Sequence, residues 1–588
     1  MSARRTACAL AAAAALAAGP AGMGASGASD AAVVSSPSVP GAPHGPARVR
    51  SSSRGVVVAG SEEAARAGAE VLAAGGNAVD AAVATAFALA ATLPQAGNLA
   101  GGGFLVARLP AGDLFALDFR ETAPAGAWER TFLAGEGRLP AGASLTSGLA
   151  VATPGTVRGL AEAHRRLGRL PWRSLLAPAE RLAREGFRVP RELTSDLVEE
   201  RAVFASHPES RRVFFPGGRP LPAGSLFRQP ELAATLAAIA ERGADAFHEG
   251  PIADAVVAWV RSEGGVLAAS DLAGYRPVWR PPHVVPFERW ELVTMPLPSS
   301  GGFLLSSILG QLGDGPVGWR GTWGSLGLHL LLEAERRAFA DRNRWLADPA
   351  CAEVPVRRLL SPSRLAELAG SIDPTRATPS AGVRAGLRES EQTTHLSVAT
   401  SDGAAVALTT TLNGTFGNGS WVPGVGVLLN NEMDDFATAP GRPNLFGLVQ
   451  GAANAVRGGA RPLSSMTPTI VLEDGRLRMV LGSPGGSTIP TTVLQVFLRA
   501  GPLGQPLAEA VAAPRAHHQH LPDAVFVERG AFRAETLAGL AARGHDLRPR
   551  DPIGIVHGVE VRPDGTLVGV ADPRSGGEAA VPSPPPPR

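Results

Sequence analysis

Two threonines, Thr393 and Thr411, have the clearest potential for chemistry, because a predicted hairpin brings their hydroxyls together. The hairpin covers 393–411, and its turn sequence Ser401-Asp402-Gly403 favours a three-residue loop with the glycine in the left-handed conformation. In that register Thr393 lies directly opposite Thr411 on the same face of the hairpin. A two-residue loop would instead place Thr393 opposite Leu412, on the other face from Thr411. We predict the first register.

A threonine hydroxyl is a weak nucleophile unless a base removes its proton. Few bases are available, because the chain has no lysine and all 55 of its Lys and Arg residues are arginine. His395 lies on the same face as Thr393 but two residues further along. No GxSxG motif occurs that would indicate a serine nucleophile instead. Cleavage before Thr393 would supply a base, since the freed α-amine has a pKa of about 8. The Pro- and Gly-rich segment 371–390 is predicted to be an exposed loop that such a cut would release. β-Propensity alone also explains two threonines at the start of a strand, so the residues by themselves leave both interpretations open.

The elements that would position these threonines change in type along the chain. Ser61 and Asn77 are predicted N-caps of two helices, of which the second runs from Ala78 to about Thr92 and is almost free of charge. From about 155 to 370 the pattern is mainly helical, and from Thr394 onwards it is rich in strands. The sequence therefore predicts an α+β protein in which the hairpin begins a strand-rich C-terminal part.

The composition is typical of a soluble globular protein, with 45% hydrophobic and 18% charged residues. A length of 588 residues predicts two or more domains or one large composite domain. The formal net charge of +2 gives no indication that nucleic acid or a membrane surface is a partner. Cys8 and Cys351 form no CxxC, no HExxH occurs, and Gly101–Gly103 lacks the GxGxxG spacing, so we expect neither a metal nor a cofactor.

The N-terminus has the pattern of an export signal over residues 1–29. Arg4 and Arg5 precede an Ala/Leu-rich run that ends at Ala18, and small residues then offer cleavage sites. The apolar run is too short to span a membrane. Residues 30–53, rich in Ser, Pro, Gly and Ala, are predicted to be a flexible leader. We therefore expect an exported protein, periplasmic or secreted, and the alternative is an uncleaved extension.

Seven short motifs occur in order between about residue 54 and residue 575. They are Gly75-Gly-Asn-Ala-Val-Asp-Ala-Ala82, Asp118-Phe-Arg-Glu-Thr-Ala-Pro124, Pro298-Ser-Ser-Gly-Gly302, Gln392-Thr-Thr-His-Leu-Ser-Val398, Asn430-Asn-Glu-Met-Asp-Asp-Phe436, Arg461-Pro-Leu-Ser-Ser-Met466 and Gly482-Ser-Pro-Gly-Gly-Ser487. Together they resemble the γ-glutamyltransferase (γ-glutamyltranspeptidase) family of N-terminal nucleophile hydrolases.

That resemblance implies a four-layer αββα sandwich built from two fragments of one chain. Cleavage between Gln392 and Thr393 would separate a large subunit, 54–392, from a small subunit, 393–575, with a Pro-rich tail at 576–588. Thr393 would be the nucleophile and, through its amine, the base, with Thr411 bonded to its hydroxyl.

The resemblance also implies the remaining residues of the site. Gly485 and Gly486 would direct backbone N–H groups at the tetrahedral oxyanion, although most such glycine pairs form only a tight turn. Arg120 would bind the α-carboxylate of a γ-glutamyl group bidentately. In isolation Arg120 would more often be a structural residue, and paired acids a solvated face. The Ser464 and Ser465 hydroxyls would also bond the carboxylate. Glu432 and Asp435 would pair with the α-ammonium, and Asn413 would add a hydrogen bond to it.

The segment 440–447 corresponds to a lid loop over the pocket in this family. Many bacterial members have a tyrosine there whose hydroxyl fastens the lid, and this chain has Phe446. The aromatic plug remains but the hydrogen bond does not, so we expect a looser lid that favours water over an amine acceptor.

The resulting expectation is a γ-glutamyl hydrolase or transferase that acts on glutathione and similar amides through a γ-glutamyl-Thr393 ester. Water, or the amine of an amino acid or dipeptide, would resolve the ester. One alternative is a glutaryl β-lactam acylase of the same family, whose substrate lacks the α-ammonium and would not need Glu432 and Asp435. Another is an exported amino-acid-binding protein that never cleaves itself.

Overall fold

The structure is a computed structural model, and it describes residues 44–133, 142–313, 323–380, 393–439 and 441–583. The predicted export signal, most of the predicted leader and Gln392 lie outside these residues. Among the residues described, no helix combines the length and the hydropathy needed to cross a bilayer.

The strands of the described residues are, in chain order, β1 (Arg48–Ser52), β2 (Gly55–Ala59), β3 (Gly102–Arg108), β4 (Leu114–Asp118), β5 (Phe187–Arg188), β6 (Leu226–Phe227), β7 (Val278–Arg280), β8 (His283–Phe287), β9 (Trp290–Thr294), β10 (Thr394–Thr400), β11 (Ala405–Thr411), β12 (Trp421–Val422), β13 (Val427–Leu428), β14 (Thr469–Glu473), β15 (Arg476–Leu481), β16 (Ala516–His517), β17 (Val525–Glu528), β18 (Leu547–Arg550), β19 (His557–Val561), β20 (Leu567–Ala571) and β21 (Glu578–Ala580).

The α-helices of the same residues are α1 (Glu62–Ala73), α2 (Ala78–Thr92), α3 (Ala143–Thr146), α4 (Thr156–Leu167), α5 (Trp172–Glu185), α6 (Arg191–Glu199), α7 (Pro208–Phe214), α8 (Pro230–Arg242), α9 (Asp245–His248), α10 (Pro251–Ser262), α11 (Ala269–Gly274), α12 (Gly301–Leu312), α13 (Ser325–Trp345), α14 (Val356–Leu359), α15 (Pro362–Gly370), α16 (Ile489–Ala500), α17 (Leu507–Ala512) and α18 (Ala534–Ala542).

Two large antiparallel sheets dominate the fold. One has the strand order β1-β20-β19-β15-β14-β9-β8, and the other has the order β21-β2-β10-β11-β3-β4-β7. Each sheet contains strands from both sides of position 393, so the two predicted fragments are interleaved throughout. The hairpin β10–β11 lies in the second sheet between β2 and β3.

The strand β2 shows why both faces of the second sheet are apolar. Its residues point alternately to opposite faces, so Val56 and Val58 pack in a cluster that also contains residues of the first sheet, such as Val293 and Val480. Val57 packs on the other face, in a cluster formed with α1, α2 and neighbouring helices. A strand that is covered on both faces needs a continuous apolar run, which is what β2 contains.

The helix predicted from Ala78 to about Thr92 is confirmed as α2, and all of its residues are buried. Asn77 accepts from the Asp80 amide at 2.9 Å, and the Asp80 carboxylate accepts from the Asn77 amide at 3.0 Å. This capping box satisfies N–H groups that a buried helix start would otherwise leave unpaired. The almost charge-free sequence of α2 therefore reflects burial beneath the second sheet.

The predicted hairpin register is also confirmed. Thr394 pairs with Thr410 and Ala399 pairs with Ala405, which places Thr393 opposite Thr411. The turn residue Gly403 has a φ of 84°, the left-handed conformation that the three-residue loop requires.

Two edge strands lie inside segments that were predicted to be a leader and a tail. The predicted leader 30–53 includes β1, which pairs with β20, and the predicted tail 576–588 includes β21, which pairs with β2. Both are short strands at sheet edges, and their pairing partners lie far away along the chain. Because they bury little apolar surface, their local composition resembles that of a loop.

A buried ion-pair cluster stabilises the C-terminal part of the fold. Asp572 accepts from Arg515 at 2.7 Å, from Arg574 at 3.1 Å and from the Val556 amide at 2.8 Å, and Arg574 also pairs with Glu528 at 2.6 Å. The pKa of Asp572 is held far below its usual range by these guanidinium groups and N–H donors, although burial alone would raise it.

We expect Asp572→Asn to lower the free energy of unfolding by about 3 kcal/mol at pH 7, because two buried guanidinium groups lose their shared carboxylate. The folded-state pKa of Asp572 lies below the unfolded value of about 3.9. Its contribution is therefore complete above about pH 5 and is lost as the pH falls through the folded-state pKa.

Urea unfolding of the wild type and the variant at several pH values measures this difference. The exposed Asp254, replaced by Asn, is the matched control and should change stability by less than about 0.5 kcal/mol. A difference that stays constant from pH 7 to pH 2 would contradict this account.

Candidate active site

The hairpin brings the two predicted threonines together at one end of the second sheet. The Oγ1 atoms of Thr393 and Thr411 lie 3.4 Å apart, and both residues are buried. The Thr411 hydroxyl also accepts from the Asn413 amide at 2.8 Å, so its position is fixed from a second side. Asn413 has a left-handed φ of 73°, which turns the chain away from the sheet directly after β11.

Arg120 reaches the same place from the end of β4. Its amide donates to Asp118 Oδ1 at 2.9 Å, and its carbonyl accepts from the Tyr275 hydroxyl at 2.8 Å. The guanidinium is buried, and it donates to Glu432 and, at 2.5 Å, to Asp435. The predicted cation and the two predicted acids are thus in direct contact with one another.

A third acid, Glu121, belongs to this cluster although the sequence analysis did not single it out. It is fully buried, and its carboxylate lies 3.6 Å from Arg120 Nη1. Burial raises the pKa of Glu121 to about 7, against the opposing effect of Arg120. Burial, together with Glu121 and Asp435, also raises the pKa of Glu432 well above its usual range. Burial therefore favours the protonated forms of these two neighbouring acids more than water would.

Arg342, on the long helix α13, is a second buried cation that the sequence analysis missed. It donates to Gln450 Oε1 at 3.1 Å and to Ser465 Oγ at 3.4 Å. Burial lowers the pKa of Arg342 to about 10, although Asp435 acts in the opposite direction. Arg342 therefore fixes the Ser465 hydroxyl, and the Ser464 hydroxyl accepts from the Met466 amide at 3.1 Å. The only sequence signal for a buried cation at this position was the unusual number of charged residues in α13, which is otherwise apolar.

Gly485 and Gly486 form a sharp turn beside the threonines, with φ values of 129° and 53°. Neither amide N–H donates to an oxygen atom of the residues described here. A Cβ on Gly486 would overlap the ring of Phe446, so the absence of a side chain allows that ring to pack against the turn. The two glycines thus present backbone donors at a surface that only glycine can form.

The segment around Phe446 is closed over the site. The Phe446 ring is buried, its amide donates to Asn444 Oδ1 at 3.0 Å, and its carbonyl accepts from Gln519 Nε2 at 2.9 Å. Asn444 also donates to Asp435 Oδ1 at 3.1 Å, which connects the segment to the acids. Backbone and amide hydrogen bonds therefore hold this segment although Phe446 has no hydroxyl.

One small cavity collects nearly all of the predicted residues. Gly485 is not part of its lining, and Gln392 lies outside the described residues. The cavity is lined by Arg120, Thr393, Thr411, Asn413, Glu432, Asp435, Phe446, Ser464, Ser465 and Gly486, together with Met466 and Ile489.

One group elsewhere in the described residues has the composition of a metal site. Side-chain atoms of His329, Glu333 and His545 lie within 4.8 Å of one another. However, Glu333 already pairs with Arg336 at 3.1 Å and with Arg337 at 2.6 Å. A cation placed there would meet two guanidinium groups, so this trio is better explained as part of the α13 ion-pair network.

Comparison with known proteins identifies the family. A sequence profile described as Gamma-glutamyltranspeptidase matches residues 64–582. The chain belongs to this family. The glutathione hydrolase proenzyme of Escherichia coli strain K12 is 44% identical over 528 residues, which cover 89% of this chain and 91% of that protein. The glutathione hydrolase proenzyme of Pseudomonas aeruginosa is 43% identical over 536 residues, which cover 90% and 95%.

Solved structures agree with this assignment. The crystal structure of cephalosporin acylase from Bacillus halodurans matches with a TM-score of 0.81 at 26% identity, over 91% of this chain and 97% of the acylase. The resemblance drawn from the seven motifs is therefore confirmed at the level of the γ-glutamyltranspeptidase family, and so is a mixed α/β architecture with two large antiparallel sheets.

Proposed function

We propose that the protein is a self-processing γ-glutamyl hydrolase and transferase that cleaves glutathione and related γ-glutamyl amides. The observation that carries the proposal is the single cavity in which the Thr393 and Thr411 hydroxyls meet a buried arginine and two acids. A γ-glutamyl group carries an α-carboxylate and an α-ammonium beside its reactive amide. Arg120 suits the first of these charges, and Glu432 with Asp435 suits the second.

Substrate binding would exchange one set of ion pairs for another. In the substrate-free cavity Arg120 pairs with Glu432 and Asp435. The incoming carboxylate would take hydrogen bonds from Arg120 and from the Ser464 and Ser465 hydroxyls, while the ammonium replaces the guanidinium at the acids. Asn413 Oδ1, which accepts no hydrogen bond from the described residues, would accept a further bond from the ammonium. Both charges of the ligand would thus remain paired in a site that excludes water.

The chemistry then follows from the position of Thr393. After cleavage at Gln392–Thr393 its free amine would accept the hydroxyl proton, and Oγ1 would attack the γ-carbonyl carbon. The Gly485 and Gly486 amides would stabilise the oxyanion. The Thr393 amine would then pass its proton to the leaving nitrogen, the C–N bond would break, and a γ-glutamyl-Thr393 ester would remain. Water, or an amino-acid or dipeptide amine, would attack the ester, and the proton lost by this nucleophile would return to Oγ1.

The same proposal covers the assembly and location of the protein. A large subunit, 54–392, and a small subunit, 393–575, would remain interleaved in a four-layer αββα sandwich of the N-terminal nucleophile hydrolase type. Apolar clusters between the sheets and on the outer face of each sheet support this layering. Export to the periplasm or the medium is supported by the pattern of residues 1–29. The proposed chemistry requires no cofactor, metal, nucleic acid or membrane.

Denaturing electrophoresis tests the mechanism directly. We expect purified wild-type protein to give two bands, one for each fragment produced by cleavage before Thr393. Thr393→Ala should give a single precursor band and should release no glutamate from glutathione. Thr393→Ser is the matched control, since it retains a hydroxyl and should still cleave itself. An active wild-type protein that remains a single intact chain would exclude the amine of Thr393 as the base.

A pair of anilide donors distinguishes the proposal from the glutaryl acylase alternative. γ-Glutamyl-p-nitroanilide has the α-ammonium, and glutaryl-p-nitroanilide lacks it. We expect Asp435→Asn to lower kcat/KM for the γ-glutamyl donor by about 100-fold, the effect of one charge-assisted bond, and for the glutaryl donor by less than about 5-fold. Wild-type preference for the glutaryl donor would favour the acylase, and ligand binding without turnover of either donor would favour a binding protein.

The fate of the ester depends on how firmly Phe446 excludes water. We expect Phe446→Tyr to raise the ratio of transfer to hydrolysis with glycylglycine by about 3-fold, because a hydroxyl could add one hydrogen bond to the closed segment. Phe446→Leu keeps an apolar side chain without a hydroxyl and should not raise the ratio. An unchanged ratio in the tyrosine variant would show that the backbone bonds already hold the segment closed.

A further inference from the structure

A second and larger cavity opens on the other side of Thr393. Its volume is about 590 Å³, and Thr393 lines both this cleft and the small cavity that contains Arg120. If the γ-glutamyl group occupies the small cavity, the cleft is the adjoining space at Thr393 for the groups that leave from and arrive at its carbonyl. The charge of the cleft therefore bears on which amines the enzyme accepts.

One wall of the cleft is a row of acids on α6 and the residue after it. Glu192, Asp196, Glu199 and Glu200 are spaced so that they share one face of the helix, and all four line the cleft. Within the described residues no arginine or histidine forms an ion pair with any of them. Asp196 and Glu200 accept hydrogen bonds from the neutral side chains of Gln95 and Thr415. The four residues are called the α6 acids below.

The other charged groups of the cleft have partners. On the acidic side, Glu62 pairs with Arg66, Glu63 accepts from Ser61 Oγ at 3.0 Å, and Asp551 lies 3.4 Å from Arg529. The basic groups are also engaged: Arg188 donates to the Gly224 carbonyl at 3.1 Å, Arg574 belongs to the Asp572 cluster, and Arg550 lies over the Phe526 ring. Glu63 and Arg188, which have only neutral partners here, carry opposite charges, so the excess charge of the cleft is negative and lies on the α6 wall.

A buried amide in the same wall points to a ligand. Gln95 is only 4% exposed, and its Nε2 donates to Asp196 Oδ2 at 2.9 Å. Its Oε1 accepts no hydrogen bond from the described residues, although it is buried at the cleft. Burial and the neighbouring α6 acids raise the pKa of Asp196 to about 7. An amide oxygen without a donor beside crowded carboxylates is a set of acceptors that a cationic N–H group would satisfy.

We propose, building on the function proposed above, that this cleft binds the amine acceptor and selects acceptors that carry a second positive charge, such as basic amino acids and diamines. The neutral α-amine of the acceptor attacks the γ-glutamyl-Thr393 ester, the ester C–O bond breaks, and the amine proton returns to Thr393 Oγ1. The distal guanidinium or ammonium takes no part in the bond changes. It binds the α6 acids and the Gln95 oxygen that has no donor, and so raises the rate at which that amine attacks the ester.

Arginine and citrulline form a matched acceptor pair, since they have nearly the same shape and only arginine is charged. The full-length, self-processed enzyme is supplied with γ-glutamyl-p-nitroanilide, and the γ-glutamyl product of each acceptor is quantified. We expect kcat/KM for transfer to arginine to exceed that for citrulline by about 10-fold, the scale of one partly desolvated ion pair. The preference should fall as NaCl is raised, because salt screens the interaction.

The triple variant Asp196→Asn/Glu199→Gln/Glu200→Gln should bring the arginine-to-citrulline ratio close to one. Glu241→Gln removes one exposed carboxylate from α8, away from the cleft, and should leave the ratio as it is in the wild type. Equal rates for the two acceptors in the wild type, or an unchanged preference in the triple variant, would overturn the acceptor proposal alone. Absence of p-nitroaniline release from the wild type would overturn the proposed function as well.

Discussion

The rest of the site depends on the rule that a buried charge must be paired. Arg120 is almost completely buried, so the fold has to supply carboxylates where no water can reach, and it does so with Glu432 and Asp435. The substrate-free cavity therefore already holds charges complementary to both ends of an amino-acid zwitterion. In the proposed function, binding would separate the Arg120 ion pairs, and charges of the ligand would replace those of the protein.

A related rule, that buried donors must find acceptors, applies further from the cavity. Arg342 lies behind the site and is surrounded by neutral oxygens rather than by direct carboxylate partners. At the far side of the glycine turn, Arg515 donates to the Ile553 and Gly554 carbonyls while it pairs with Asp572. Arginine suits these positions because its planar guanidinium can satisfy several acceptors at once. Buried arginines thus fix both the pocket and the turn beside it.

The sequence predicted the parts of this site that depend on local spacing. Strand alternation and the turn Ser401-Asp402-Gly403 were enough to place Thr393 opposite Thr411, because pairing within a hairpin is set over a few residues. Contacts between distant segments had no such local signal. Only the family resemblance predicted that Arg120 and Glu432 share a site, and Glu121 and Arg342 were not predicted at all. The edge strands β1 and β21 were missed for the same reason, since their partners are remote in sequence.

The turn that follows β10 has a consequence for how this chain can vary. It lies a full strand of 7 residues away from Thr393, the proposed nucleophile, or about 23 Å. Because side chains alternate between faces, an insertion or deletion of a single residue in the turn could shift the pairing and place Thr393 opposite a different neighbour. Substitutions in the turn that preserve its geometry would leave the pairing intact. The length of an exposed loop is therefore constrained by the pairing of two threonines at the opposite end of the hairpin, while its composition is constrained mainly at Gly403.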